Sequence, residues 1–131
     1  MEQAQVKPIE LVVEDNRATL EIDGVTYVYT MANAEPAYKA FKAACAVLKD
    51  ANKDSSIIAV IASNLGHSAV EACEKLVRAN LSVKPVEGDM FKINDRFDSH
   101  FNKHRKHLIL VMVNGMKYQF GDFFDMSVLG L

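Results

Sequence analysis

Asp23-Gly24 separates two runs of alternating apolar residues, Leu20 and Ile22 before it and Val25, Tyr27 and Tyr29 after it. An Asp-Gly pair suits a two-residue hairpin turn, because both residues tolerate positive φ and the turn's twist matches that of paired strands. The spacing predicts an antiparallel hairpin here. Ile9, Leu11 and Val13 carry the same period upstream, with Asn16-Arg17 available for a looser turn. Residues 9–30 therefore read as a β-meander with one apolar face. Such a sheet is marginal alone, so helices or a second subunit must cover that face.

Helical spacing follows. Pro36 suits a first turn, and Ala37, Phe41, Ala44, Cys45 and Leu48 form one stripe, with Lys39, Lys42 and Lys49 off it. Asn52, Lys53 and Asp54 end that pattern. Residues 55–62 are rich in isoleucine and valine, yet Ile57, Ile58, Ile61 and Leu65 suit a short buried helix. Asp54 or Ser55 would cap it and Gly66 would close it. Ser68-Ala69-Val70-Glu71 reads as a capping box opening a helix through Val70, Cys73, Leu76 or Val77, and Leu81. That helix ends before Pro85, and Ser82 to Asp89 reads as a loop.

The last third supports two readings. Phe97, Phe101, His104, Leu108, Val111, Met112 and Gly115 keep one helical side from Asp95 onward. Asn114-Gly115, between Leu108–Val113 and Met116–Phe120, is a strong hairpin signal. Glycine inside a helix also costs about 1 kcal/mol relative to alanine. Local chemistry leans to the hairpin and the longer period to the helix.

These patterns predict an α+β chain, an N-terminal antiparallel β-meander followed by a mainly helical bundle. At 131 residues it suits one domain, with strands over 9–30, mainly helix over 35–120 and an apolar tail over 121–131. A net charge of −2 argues against a nonspecific nucleic-acid binder. Residues 1–5 lack the basic and apolar regions of a signal peptide, and the six-residue run Leu108–Val113 is too short to span a bilayer. A cytoplasm is the expected compartment. Cys45 and Cys73 both sit in apolar helical contexts, as reduced core thiols do.

Few residues suggest chemistry. There is no GxxxxGK[ST], GxGxxG or GxSxG, and no cofactor is expected. His100, His104 and His107 would share a helical face, which raises a zinc or nickel site. Lys103, Arg105 and Lys106 are interleaved with them, and positive charge beside a cation site disfavours the metal. A solvated or partner-facing basic patch is the better reading, with an acidic protein surface as partner. Asp122 and Asp125 read as a solvated turn. Seven of the eleven aromatics lie in the last third. The tail from Phe120 through Phe123 and Phe124 to Leu131 is apolar without a period, which suggests docking on another chain. Charge and apolar surface thus converge on a partner-binding set of Arg96, Phe97, Phe101, Lys103, Arg105, Phe120, Phe123 and Phe124. The open edges of the short sheet predict a homo-oligomer.

Arg96-Phe97-Asp98-Ser99-His100-Phe101, the apolar Leu108–Val113 and Tyr118-Gln119-Phe120-Gly121-Asp122-Phe123-Phe124 together resemble the tail-assembly chaperones of long-tailed, lambda-like bacteriophages. The resemblance implies a non-enzymatic protein that binds the tape-measure protein and keeps it soluble while tail-tube protein polymerises around it. It implies the shorter product of a frameshift pair, working in the host cytoplasm and absent from the mature virion. It also tips residues 95–120 toward helix. The rival readings are a structural virion or tail-completion component and a small metal-binding protein using His100, His104 and His107.

Overall fold

The computed structural model describes residues 9–48 and 66–121. The expected helix over 55–65 and the tail aromatics Phe123 and Phe124 lie outside these residues. The first three strands are β1 (Leu11–Val13), β2 (Arg17–Ile22) and β3 (Val25–Thr30). Asp23 at φ 52° and Gly24 at φ 83° make the tight β2–β3 turn, both central residues left-handed as the Asp-Gly pair predicts. The backbone then enters α1 (Ala34–Leu48), with Pro36 in its first turn and the Ala37 N–H donating to the Asn33 carbonyl at 3.2 Å.

Helix α2 (Ser68–Ala79) follows, capped differently from expectation. The N-cap is His67, not Ser68: its backbone is extended, and its Nδ1 accepts the Ala69 N–H at 3.0 Å. An imidazole nitrogen here satisfies a first-turn donor that a serine hydroxyl usually takes.

The segment expected as a loop from Ser82 instead begins in a strand. β4 (Leu81–Lys84) pairs antiparallel with β3, Tyr29 opposite Leu81 and Tyr27 opposite Val83. β5 (Phe91–Lys92) pairs with β4 in turn. Four residues closed by Pro85 carry a weak strand signal alone. The free edge of β3 supplies hydrogen bonds that local propensity does not encode. The described residues form one antiparallel sheet in the order β1-β2-β3-β4-β5.

One sheet face is buried throughout. Ala18, Leu20, Ile22, Val25, Tyr27, Tyr29, Leu81 and Val83 alternate with half-buried or exposed Thr19, Glu21, Thr26, Val28, Ser82 and Lys84. This is the period of a sheet covered on one side only. A short 3-10 turn (Ile93–Asp95) leads from β5 into α3 (Phe97–Lys103) and α4 (Arg105–Phe120).

α4 runs unbroken through Asn114-Gly115 and crosses the sheet. A Cβ on Gly115 would overlap Val77 Cγ1 of α2 and come within 2.9 Å of Tyr29 Cε1. The missing side chain lets α4 sit close to both α2 and the sheet, and Tyr29 Oη donates to the Val111 carbonyl at 2.6 Å. Gly115 is therefore a contact residue, not half of a turn. Gln119, also buried, finishes the layer: its Oε1 accepts the Ala32 N–H at 3.0 Å and its Nε2 donates to the Thr30 carbonyl at 2.8 Å. One side chain thus satisfies the backbone where the chain leaves β3.

Candidate functional site

The single helix expected from Phe97 onward is two helices. His104 interrupts it at φ −131°, ψ 49°, as C-cap of α3 and N-cap of α4. On a continuous helix His100 and His107 would be separated by about 10.5 Å of rise. The break instead brings both rings onto one atom. Tyr27 Oη lies 2.8 Å from His100 Nε2 and 2.7 Å from His107 Nδ1. His107 Nε2 lies 3.1 Å from Asp23 Oδ2. His104 stacks between the imidazoles, 4.7 Å from His100 and 4.9 Å from His107 by ring centroids.

The Asp23 carboxylate can only accept, so His107 Nε2 donates to it. The Tyr27 hydroxyl can donate once and also accept, so it can serve one imidazole nitrogen in each role. The hairpin turn supplies the terminus, since the residue whose left-handed backbone closes β2–β3 also presents the carboxylate.

Both rings are buried. His100 is 7% exposed and His107 3%. The basic patch expected of the three histidines is therefore corrected: two of them are core groups satisfied by Tyr27. Burial, followed by the neighbouring His104, His107 and Lys103, holds the His100 imidazole down at about 4. Burial also lowers His104, with His107 and Lys103 adding to the effect and Asp23 opposing it. Burial, then the Asp23 carboxylate, raises the Tyr27 phenol well above its ordinary value. The Tyr27, His100, His107 and Asp23 hydrogen bonds hold the α3–α4 corner on the sheet. Among the described residues no cluster of three or more His, Cys, Asp or Glu is disposed to hold a metal ion. His100 Nε2 and His107 Nδ1 are engaged by the Tyr27 hydroxyl, and His107 Nε2 by Asp23.

The expected partner-binding residues divide by position. Phe101 and Phe120 are each 3% exposed and belong to the core, Phe101 stacked parallel to Tyr27 at 6.1 Å. Arg96, Lys103 and Arg105 are exposed, and Phe97 is half-buried. The Arg96 guanidinium lies over Phe91 at 5.0 Å, and that of Arg78 over Phe97 at 3.8 Å. Phe97 also borders an open groove of about 390 Å³ with Glu71, Glu74, Lys75 and Arg78. Burial, then Glu71, raises the Glu74 carboxyl, and Arg78 partly offsets them. Cys73 is a buried free thiol donating weakly to the Ala40 carbonyl, and its burial pushes it up to about 11, far from a reactive thiolate.

Sequence reasoning missed Tyr27 and Asp23 as partners of the histidines, because 73 to 84 residues separate the paired groups. It also missed Ile109 and Leu110, which are 55% and 38% exposed on the outer face of α4. Their signal was the Arg105-Lys106 pair one helical turn before them.

Over residues 20–130 the chain matches the family described as "Phage tail assembly chaperone protein, TAC". Two proteins of Xylella fastidiosa strain Temecula1 / ATCC 700964, both named "Uncharacterized protein", are 38% and 37% identical over 120 residues, covering 84% of this chain and 86% of their own length. A protein of Xylella fastidiosa strain 9a5c is 37% identical with the same coverage. No solved structure matches the chain.

Proposed function

This chain belongs to the phage tail assembly chaperones, and we propose that it binds the tape-measure protein and keeps it soluble while the tail tube polymerises. The family implies a non-enzymatic role. The observation that carries the reading is the family match, which spans nearly the whole chain from β2 onward. The surface is compatible with it. Arg96 and half-buried Phe97 open α3, and exposed Lys103 and Arg105 flank its junction with α4, so α3 carries basic groups at both ends. Phe101 underpins α3 from the core.

In this reading the partners are the tape-measure and tail-tube proteins, with Phe123 and Phe124 as further anchors. The protein acts in the host cytoplasm and leaves before the virion matures. Among the described residues no helix is long and apolar enough to cross a membrane. It works as a homo-oligomer, using β1, the edge strand among the described residues, where Val12 and Val13 are 53% and 61% exposed. Repeated weak contacts then add by avidity along an extended client. It is the shorter product of a frameshift pair, which a slippery heptamer in the codons for Ser127–Leu131 would mark.

The test is co-expression with the tape-measure protein of the same phage genome. The expected result is a soluble tape-measure protein that co-purifies with this chain, and purified virions free of it. An insoluble tape-measure protein in its presence, or stoichiometric recovery in virions, overturns the reading.

A further inference from the structure

We propose that the outer face of the first half of α4, with the end of α3, docks an acidic amphipathic helix of the partner. The inference rests on the chaperone reading and specifies the chemistry of the client segment.

The cations on this face have no carboxylate partner among the described residues, and the nearby Asp23 is engaged by His107. α4 contains no Asp or Glu, and Arg105 and Lys106 occupy its first turn just after Lys103 ends α3. None of the three forms an ion pair among the described residues. A helix N-terminus favours anions, yet three cations crowd this one, and its N-cap His104 makes no side-chain capping bond. Carboxylates from outside would relieve both the repulsion and the misplaced dipole.

Apolar surface lies beside the charge. Ile109 and Leu110 stand four residues after Arg105 and Lys106, on the same side of the helix. From Val111 to Phe120 nearly every residue is buried, so this pair is the exposed aliphatic part of a helix otherwise sunk in the core. The opposite side is anchored by His107 on Tyr27 and Asp23 and by the Val111 carbonyl on Tyr29. The face is therefore rigid before binding, which lowers the ordering cost of association. Two aliphatic anchors beside cations at four-residue spacing complement a helix with Leu or Ile on one stripe and Glu or Asp next to it.

The test uses the full chain and a fluorescent peptide of about 20 residues, with Leu and Glu at helical spacing. A Lys-for-Glu peptide and a single-stranded oligonucleotide serve as comparison probes. The Glu peptide should bind best, and more weakly as salt rises. R105E/K106E and I109S/L110S should each weaken it about tenfold. K39E, on the Glu35-paired lysine of α1, should leave it unchanged. Unchanged melting of the double variants would show that the fold is intact. Equal binding by the parent and both double variants, or preference for the Lys peptide or the oligonucleotide, overturns the proposal. So does a change in self-association of the variants with peptide binding intact, which would make this face an interface between copies. Co-expression separates the two levels. If the parent fails to keep the tape-measure protein soluble, the functional reading falls. If the parent and both double variants succeed equally, the docking face falls and the functional reading stands.

Discussion

Tyr27 Oη and His107 Nδ1 are 2.7 Å apart across 80 residues of sequence, and the same hydroxyl meets His100 Nε2 at 2.8 Å. One oxygen of the sheet therefore joins both helices of the α3–α4 corner. Two residues along β3 on the same face, Tyr29 makes a single bond, to a helix carbonyl.

This difference predicts unequal costs for the same substitution. Tyr27→Phe leaves two buried imidazole nitrogens without partners and should destabilise by about 2–4 kcal/mol. Tyr29→Phe removes one donor from a carbonyl placed to keep its helical partner, and should cost about 1 kcal/mol. Urea titrations of both variants against the parent measure the ratio.

Stability should fall in mild acid. The His100 imidazole is held at about 4 in the folded chain against about 6.5 when free. Between those values the unfolded state binds more protons, so stability rises with pH through that window. His100 thus contributes about 3 kcal/mol that is present above pH 6.5 and lost progressively as pH falls through 4. The lowered His104 adds in the same direction. Denaturation at pH 7.5, 6, 5 and 4.5 should show this slope, and His100→Gln should flatten it. An unchanged slope in His100→Gln would assign the acid sensitivity to other groups.

Gly115→Ala should destabilise although alanine is the better helix former. The propensity gain is about 1 kcal/mol. The new methyl must displace Val77, a stiff β-branched side chain with no exposed surface, and crowd Tyr29, tied to Val111. Such overpacking costs about 1–3 kcal/mol, and with two constrained neighbours the clash should win. A lowered melting temperature with unchanged far-ultraviolet helicity is the expected result. Val77→Ala, which opens the space, should partly rescue Gly115→Ala in a double-mutant cycle.

Gln119→Leu should cost about 1–3 kcal/mol, because it leaves the Ala32 N–H and the Thr30 carbonyl without their partner. Amide exchange at Ala32 should accelerate by more than exchange in the middle of β2. Equal acceleration at both sites would indicate global destabilisation instead.

The β2–β3 hairpin was legible because its determinants are local. Alternating apolar residues choose a face, and Asp23-Gly24 supplies two left-handed positions that few other pairs adopt readily. Pro36 in the first turn of α1 and the apolar stripe of α2 are local in the same sense. The cap at His67 was not, since any short acceptor near that position could have closed the turn and only the placed imidazole decides it. At the candidate site, residues 96–107 do form one corner, α3 and the start of α4, but the sequence did not show which side chains face inward. Phe101 and His100 point into the core while Lys103 and Arg105 stay outside, and that division depends on the break at His104.

By itself the sequence determined the hairpin, the apolar face of the sheet and the amphipathic helices, because each follows from backbone preferences and side-chain spacing within a few residues. Tertiary structure alone decided three features. β4 forms because the edge of β3 offers it partners. Asn114-Gly115 stays helical because α4 must pass within contact of Val77 and Tyr29, and only a residue without a side chain permits it. His100 and His107 converge because Tyr27, more than 70 residues earlier, offers one hydroxyl that can both donate and accept. In each case the stabilising group is remote in sequence, and at Gly115 its contribution outweighs a local helix cost of about 1 kcal/mol.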